Sequence, residues 1–199
     1  MGSRGVYCEA LASLLGAEIE AAVPAGAMAE LAGVGRVWLS ADVGLALPWD
    51  SGNPGGFDNV DAVGAAVALD AVLFNEDRHP GNALLTEAED EALLWFIDWE
   101  AAILGFHTAR LAANLDLVPN PATKHFRGLP VGAIEAGARS GATKLARLTD
   151  ALDQILLTCA GYARLPPEDR GMIERVVRHR LEQAPVIVAA YLDRLWPLQ

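Results

Sequence analysis

The chain has 199 residues and a mass of 21.1 kDa, 52% of them hydrophobic with a mean hydropathy of +0.24, which suffices for one domain or two small ones and excludes disorder over most of the length. A net charge of −11 and a pI near 4.7 argue against nucleic acid and anionic membrane surfaces as partners. The charge is uneven: residues 1–100 hold 17 Asp and Glu against 3 Arg, a balance of −14, and residues 101–199 hold 9 acids against 10 Arg and 2 Lys, a balance of +3.

Taken in chain order, Met1 to Gly5 lack the apolar segment of a signal peptide, and no apolar run reaches the length of a membrane span. Residues 6–16 place Leu11, Leu14 and Leu15 at helical spacing before Gly16, which predicts a short helix ending at a glycine cap. A second short helix is expected at 26–32. Residues 36–40 and 44–47 read as two strands of a hairpin turning at Ala41 and Asp42. The Pro- and Gly-rich stretch 48–57 is a loop and an internal boundary, separating segment 1–57 from 58–199. A buried helix follows to about Phe74, with Asp58 or Asn59 as its cap. Residues 83–86 and 92–97 form a hairpin around an acidic turn, Glu87 to Glu91. Beyond residue 105 the pattern is helical, near 107–114, 132–140, 143–161, 167–182 and 185–195, with breaks at 119–130 and 165–167. Cys8 and Cys159 are isolated, so the pattern suggests core thiols in a reducing cytoplasm.

Polar groups concentrate where these apolar elements end. Asn75-Glu76-Asp77-Arg78-His79-Pro80-Gly81-Asn82 precedes the 83–97 hairpin, and Asp98-Trp99-Glu100 follows it. Phosphoryl transfer requires a carboxylate to orient the acceptor hydroxyl, and a second carboxylate with an amide oxygen to hold magnesium against the phosphates. Asp77, Asp98 and Asn82 supply that set, and Asn82 lies five residues after Asp77, the spacing of the protein-kinase catalytic loop. The order Asp-Arg-His, and Trp99 after the metal aspartate, depart from ordinary protein kinases.

At these residues the chain resembles the atypical branch of the kinase superfamily, namely HipA-like kinases and phosphatidylinositol 3- and 4-kinases. The Ile-Asp-Trp-Glu step also looks like aminoglycoside and choline phosphotransferases. The resemblance covers 74–101 closely and fits a kinase C-terminal lobe over about 58–195. It implies a mostly helical α+β fold, a protein-kinase-like C-terminal lobe with a reduced N-terminal lobe, and an activity that uses Mg2+ and ATP. Asp77 would be the catalytic carboxylate and His79 its support or a phosphate contact. Asn82 and Asp98 would be the metal ligands. Asn75 and Arg78 would serve the cofactor site by bracing the loop, Arg78 through a buried ion pair, and Glu100 would assist at the metal.

The chain lacks a kinase's Gly-rich phosphate loop and strand lysine, since its only lysines are Lys124 and Lys144. Glu9 sits on the counterpart of the lobe's helix glutamate without a lysine to pair with. Three readings stay open: a short enzyme with an unusual clamp, with Arg36 in place of lysine; one part of a split kinase whose N-lobe comes from a partner chain or homodimer; or a pseudokinase acting as a scaffold. The phosphoryl acceptor expected is a protein or small-molecule hydroxyl. Trp95, Phe96 and Trp99 read as packing aromatics, and Trp38 and Trp49 lie where a nucleotide base could bind. His107, His125 and His179 have no metal-ligand spacing.

Overall fold

The computed structural model describes residues 3–49, 56–88, 90–103, 108–121 and 129–196. Helix α1 (Ser3–Ile19) is followed by strands β1 (Gly26–Leu31), β2 (Gly35–Ser40) and β3 (Ala46–Pro48). Next come helix α2 (Val60–Val72), a 3-10 turn at Pro80–Asn82, and strands β4 (Ala83–Ala88) and β5 (Glu91–Phe96). Five helices complete the chain: α3 (Thr108–Ala113), α4 (Val131–Leu145), α5 (Asp150–Ala163), α6 (Pro167–Glu182) and α7 (Ala184–Leu195). The fold is α+β and mostly helical, with two small antiparallel sheets, β1-β2 and β3-β4-β5. No helix among the described residues is long and apolar enough to cross a membrane.

The centre of the molecule is α2, buried without interruption from Val63 to Val72. It lies so close to α4 that a Cβ on Gly64 would come within 2.6 Å of the Ile134 carbonyl oxygen, and one on Gly137 within 2.6 Å of the Asp61 oxygen. Glycine is required at both positions because the opposing atoms are backbone and cannot rotate away. The same contact explains why α4 runs unbroken to Leu145, past the break expected at 141–142. Gly141 faces the α2 backbone, where a Cβ would come within 3.0 Å of the Ala65 Cα, and serves close approach instead of termination.

The N-terminal segment departs most from expectation. Residues 26–31 form strand β1, not a helix, although Ala, Met, Glu and Leu favour helix locally. The turn through Gly33 and Gly35, at φ 78° and 92°, folds β1 back on β2, with Met28 opposite Trp38. The Trp38 indole then lies on Gly26, where any Cβ would meet the ring at 2.5 Å. Pairing and packing therefore override propensity. The hairpin expected between 36–40 and 44–47 does not form; β3 crosses to pair with β4, Leu47 opposite Leu85. Helix α1 continues through Gly16 to Ile19 and stops at Glu20, at φ 59°.

The 83–96 hairpin forms as expected, with Leu85 opposite Leu94. Asn59 occupies the cap position of α2, yet its side chain serves the sheet: Nδ2 donates to the Leu94 carbonyl and Oδ1 accepts the Leu94 N–H, both at 2.9 Å. The other end of α2 is closed by Arg180 of α6, which is 0% exposed. Its guanidinium donates to the carbonyls of Val72 (2.6 Å), Ala71 (2.8 Å), Leu115 (2.7 Å) and Leu117 (2.8 Å). It thus satisfies carbonyls that a helix C-terminus leaves open and places positive charge at the negative end of the helix dipole. Burial lowers its pKa to about 10, which leaves it charged at neutral pH.

Candidate functional site

The site is built on an ion pair beneath the loop that leaves α2. Asp70 is the only acid on the buried stretch of that helix and is 0% exposed, while Arg78, eight residues on, is 3% exposed. The guanidinium meets the carboxylate through Nη2 at 2.9 Å and Nε at 3.0 Å. Burial pushes the Asp70 carboxyl above its usual range, against the pull of Arg78 and of Asn75, whose Nδ2 donates to Asp70 Oδ1 at 2.8 Å. The remaining Arg78 nitrogen, Nη1, donates to the carbonyls of Asn82 (2.7 Å) and Ile97 (2.6 Å). The rings of Phe96 and Trp99 lie 4.6 Å from its central carbon.

Arg78 and Asn75 therefore do not stand in the open as ligand contacts; both are enclosed with their polar groups engaged. The buried ion pair expected of Arg78 is present, and its partner is Asp70. Asn75 is 1% exposed and accepts the Asp77 N–H on Oδ1 at 3.0 Å. These two residues fix the loop from below.

On that base, Asp77 is held by its backbone alone. Its N–H goes to Asn75 and its carbonyl accepts Asn82 Nδ2 at 3.0 Å, and among the described residues its exposed carboxylate has no partner. Asn82 is 4% exposed and points its amide nitrogen back into the loop, which leaves Oδ1 unclaimed among the described residues. His79 is exposed and caps the 3-10 turn, its Nδ1 accepting the Gly81 N–H at 3.1 Å. That bond assigns the neutral ring proton to Nε2, which faces no protein partner among the described residues.

The backbone brings Asp98 to the same place, since the Ile97 N–H donates to the Asn82 carbonyl at 3.0 Å. Asp98 is exposed and adopts φ 59°, a left-handed conformation uncommon for non-glycine residues and most accessible to Asn and Asp. The following N–H, of Trp99, donates at 2.7 Å to Oε1 of Glu9 on α1, ninety residues away in sequence. Glu9 is 7% exposed, and burial, with the nearby Asp98 carboxylate, pushes its carboxyl up to about 7.

Asp98, Glu100 and Glu9 line a cleft of about 440 Å³ between α1, the β1-β2 hairpin, the 40–46 connector and the β4-β5 sheet. Trp38 stands in its wall, whereas Trp49 is 4% exposed and outside it. Arg36 is not free to clamp phosphate, because its Nη1 donates to the Gly161 (2.7 Å) and Tyr162 (2.8 Å) carbonyls at the end of α5. Of the lysines, Lys144 pairs with Glu20, and Lys124 lies outside the described residues. His179 bonds Asp116 at 2.6 Å, and His107 and His125 also lie outside the described residues.

Among the described residues no group of three His, Cys, Asp or Glu side chains could hold a metal ion by itself. The unclaimed Asn82 Oδ1 and the Asp98 carboxylate are oxygen donors of the kind magnesium takes, one or two from a protein and the rest from phosphate and water. Sequence reading missed Asp70, although a single acid in the apolar stretch 62–74 signals a buried partner. Nothing local marks the Glu9 to Trp99 bond, which exists only once the chain has folded. Comparison of the chain with protein-family models, with curated proteins and with solved structures returns no match in any of the three.

Proposed function

We propose that the chain is an Mg2+- and ATP-dependent phosphotransferase of the atypical-kinase type, acting on a protein or small-molecule hydroxyl. One observation carries the reading: an unpaired Asp98 carboxylate, held at positive φ in a cleft, shares a hydrogen-bonded frame with Asn82 and with an unpaired Asp77. Asp77 accepts the proton of the acceptor hydroxyl as that oxygen bonds the γ-phosphorus and the bond to the leaving ADP oxygen breaks. Asn82 and Asp98 would hold magnesium, which would supply charge neutralisation at the phosphates. The Asp70–Arg78 pair keeps the two carboxylate loops in register.

The test compares wild type, Asp98→Asn and Asp77→Asn in thermal-shift and phosphotransfer assays. ATP is expected to raise the melting temperature only with magnesium, and Asp98→Asn to lose that shift. Asp77→Asn should keep the shift and lose about 10²-fold or more of the transfer rate. Full transfer by Asp77→Asn refutes its role.

A second reading, a catalytically inactive pseudokinase or split-kinase subunit that acts as a binding scaffold, is favoured by the lining of the cleft, which holds four carboxylates (Glu9, Asp42, Asp98 and Glu100) and no lysine or arginine to meet phosphate. Magnesium-dependent ATP binding with no transfer to any hydroxyl acceptor would select it.

A further inference from the structure

We infer that Glu9 is the positioning residue for Asp98: from α1 it holds the peptide plane that follows Asp98 and so sets the direction of that carboxylate. The inference rests on the reading of Asp98 as a metal ligand and adds that the first helix is a working part of the metal site.

The two peptide planes that flank Asp98 are each pinned by a separate ionisable side chain. Ahead of it, the Ile97 carbonyl accepts Arg78 Nη1 at 2.6 Å. Behind it, the Trp99 N–H is taken by Glu9 Oε1 at 2.7 Å. Between these two anchors Asp98 stands at a φ of 59°. Arg78 belongs to the same loop as Asp77, whereas Glu9 arrives from α1. Removing Glu9 frees the second plane only, and the left-handed turn can then relax toward the ordinary β region, turning the carboxylate from its present direction.

Support of the fold and positioning of Asp98 are separable here. Glu9 lines the cleft with Asp98 and Glu100, and its carboxylate also satisfies the buried Trp99 N–H. A leucine would fill the space and leave that N–H without an acceptor, whereas a glutamine keeps one. The positioning role therefore predicts a loss of Mn2+ affinity in folded Glu9→Leu that Glu9→Gln restores, which a purely structural role does not.

The experiment titrates Mn2+ alone by calorimetry into wild type, Asp98→Asn, Glu9→Gln and Glu9→Leu. The same proteins are melted without metal at pH 8, and exchange of the Trp99 amide is followed by NMR. Glu9→Leu is expected to stay folded, to exchange the Trp99 amide faster, and to bind Mn2+ about 10–100-fold more weakly, the usual cost of losing a residue that orients a ligand. Glu9→Gln keeps the acceptor and is expected to restore both amide protection and most of the affinity. Unchanged Mn2+ affinity or unchanged Trp99 protection in Glu9→Leu overturns the inference while leaving the phosphotransferase reading standing. Equal Mn2+ binding by wild type and Asp98→Asn overturns the metal reading and this inference with it.

Discussion

Replacing Arg78 with methionine tests whether the ion pair under the 75–82 loop supports the candidate site. Methionine keeps an unbranched side chain between the Phe96 and Trp99 rings but leaves Asp70, 0% exposed, without its counter-charge. Breaking a buried pair from one side costs about 3–5 kcal/mol. The Asn82 carbonyl keeps the Ile97 N–H as a donor, whereas the Ile97 carbonyl loses its charged partner, adding about 1 kcal/mol because it is only partly buried. The expected loss of about 4–6 kcal/mol is a large share of the 5–15 kcal/mol that holds a typical domain folded. Urea unfolding followed by tryptophan fluorescence and by circular dichroism would measure it. In the double variant Asp70→Asn/Arg78→Met the buried charge is gone, and the amide oxygen still accepts from Asn75. It is expected to recover about 2 kcal/mol or more relative to Arg78→Met. A loss below about 1 kcal/mol in the single variant, or a double variant no more stable than the single, would refute the reasoning.

Two further outcomes follow from the packing and from the titration of Glu9. Its carboxyl is raised to about 7 from 4.5, so the stability it contributes is complete below about pH 4.5 and is lost as pH rises through 7. Relative to Glu9→Gln, wild type should therefore lose up to about 3 kcal/mol between pH 5 and pH 8, measured by urea unfolding, and parallel pH profiles would refute the assignment. Gly64→Ala drives a Cβ to 2.6 Å from the Ile134 oxygen and should destabilise by about 3 kcal/mol or more. Gly171→Ala, where nothing lies within 4 Å, should stabilise α6 by about 0.5–1 kcal/mol. Equal melting temperatures for the two alanine variants would contradict the close approach of α2 and α4.

What the sequence made legible depended on how local its cause was. The apolar periodicity of α2, the hairpin over 83–97 with its acidic turn, and the proline starts of α6 and α7 are written within a few residues, and each was readable. So was the grouping of Asp77, Asn82 and Asp98 at element ends, because polar residues beside apolar strands stand out from their neighbours. Strand β1 was not readable: Gly-Ala-Met-Ala-Glu-Leu carries helix propensity, and only the pairing with β2 and the Trp38 ring on Gly26 overrule it. The Gly141 position misled in the opposite direction, since a glycine that admits a neighbouring backbone looks in sequence like one that ends a helix. Partners separated by 90 or 108 residues, Glu9 with Trp99 and Arg180 with Val72, leave no local trace.

Arg180 also determines when the molecule can be finished. The end of α2, from which the Asp77 loop departs, keeps open carbonyls until a side chain 108 residues downstream reaches it. During synthesis the first hundred residues, with every candidate catalytic group among them, emerge before α6 exists. Their central helix must wait, uncovered on its α4 face and unsealed at its end. Closing so long a loop is slow and must be paid in entropy before the contact forms. The 75–100 face is therefore made before the side chain that seals the helix beneath it. A nascent chain stalled before residue 180 would carry the partners that bind Asp77 and Asp98 into one frame but not the guanidinium that closes α2.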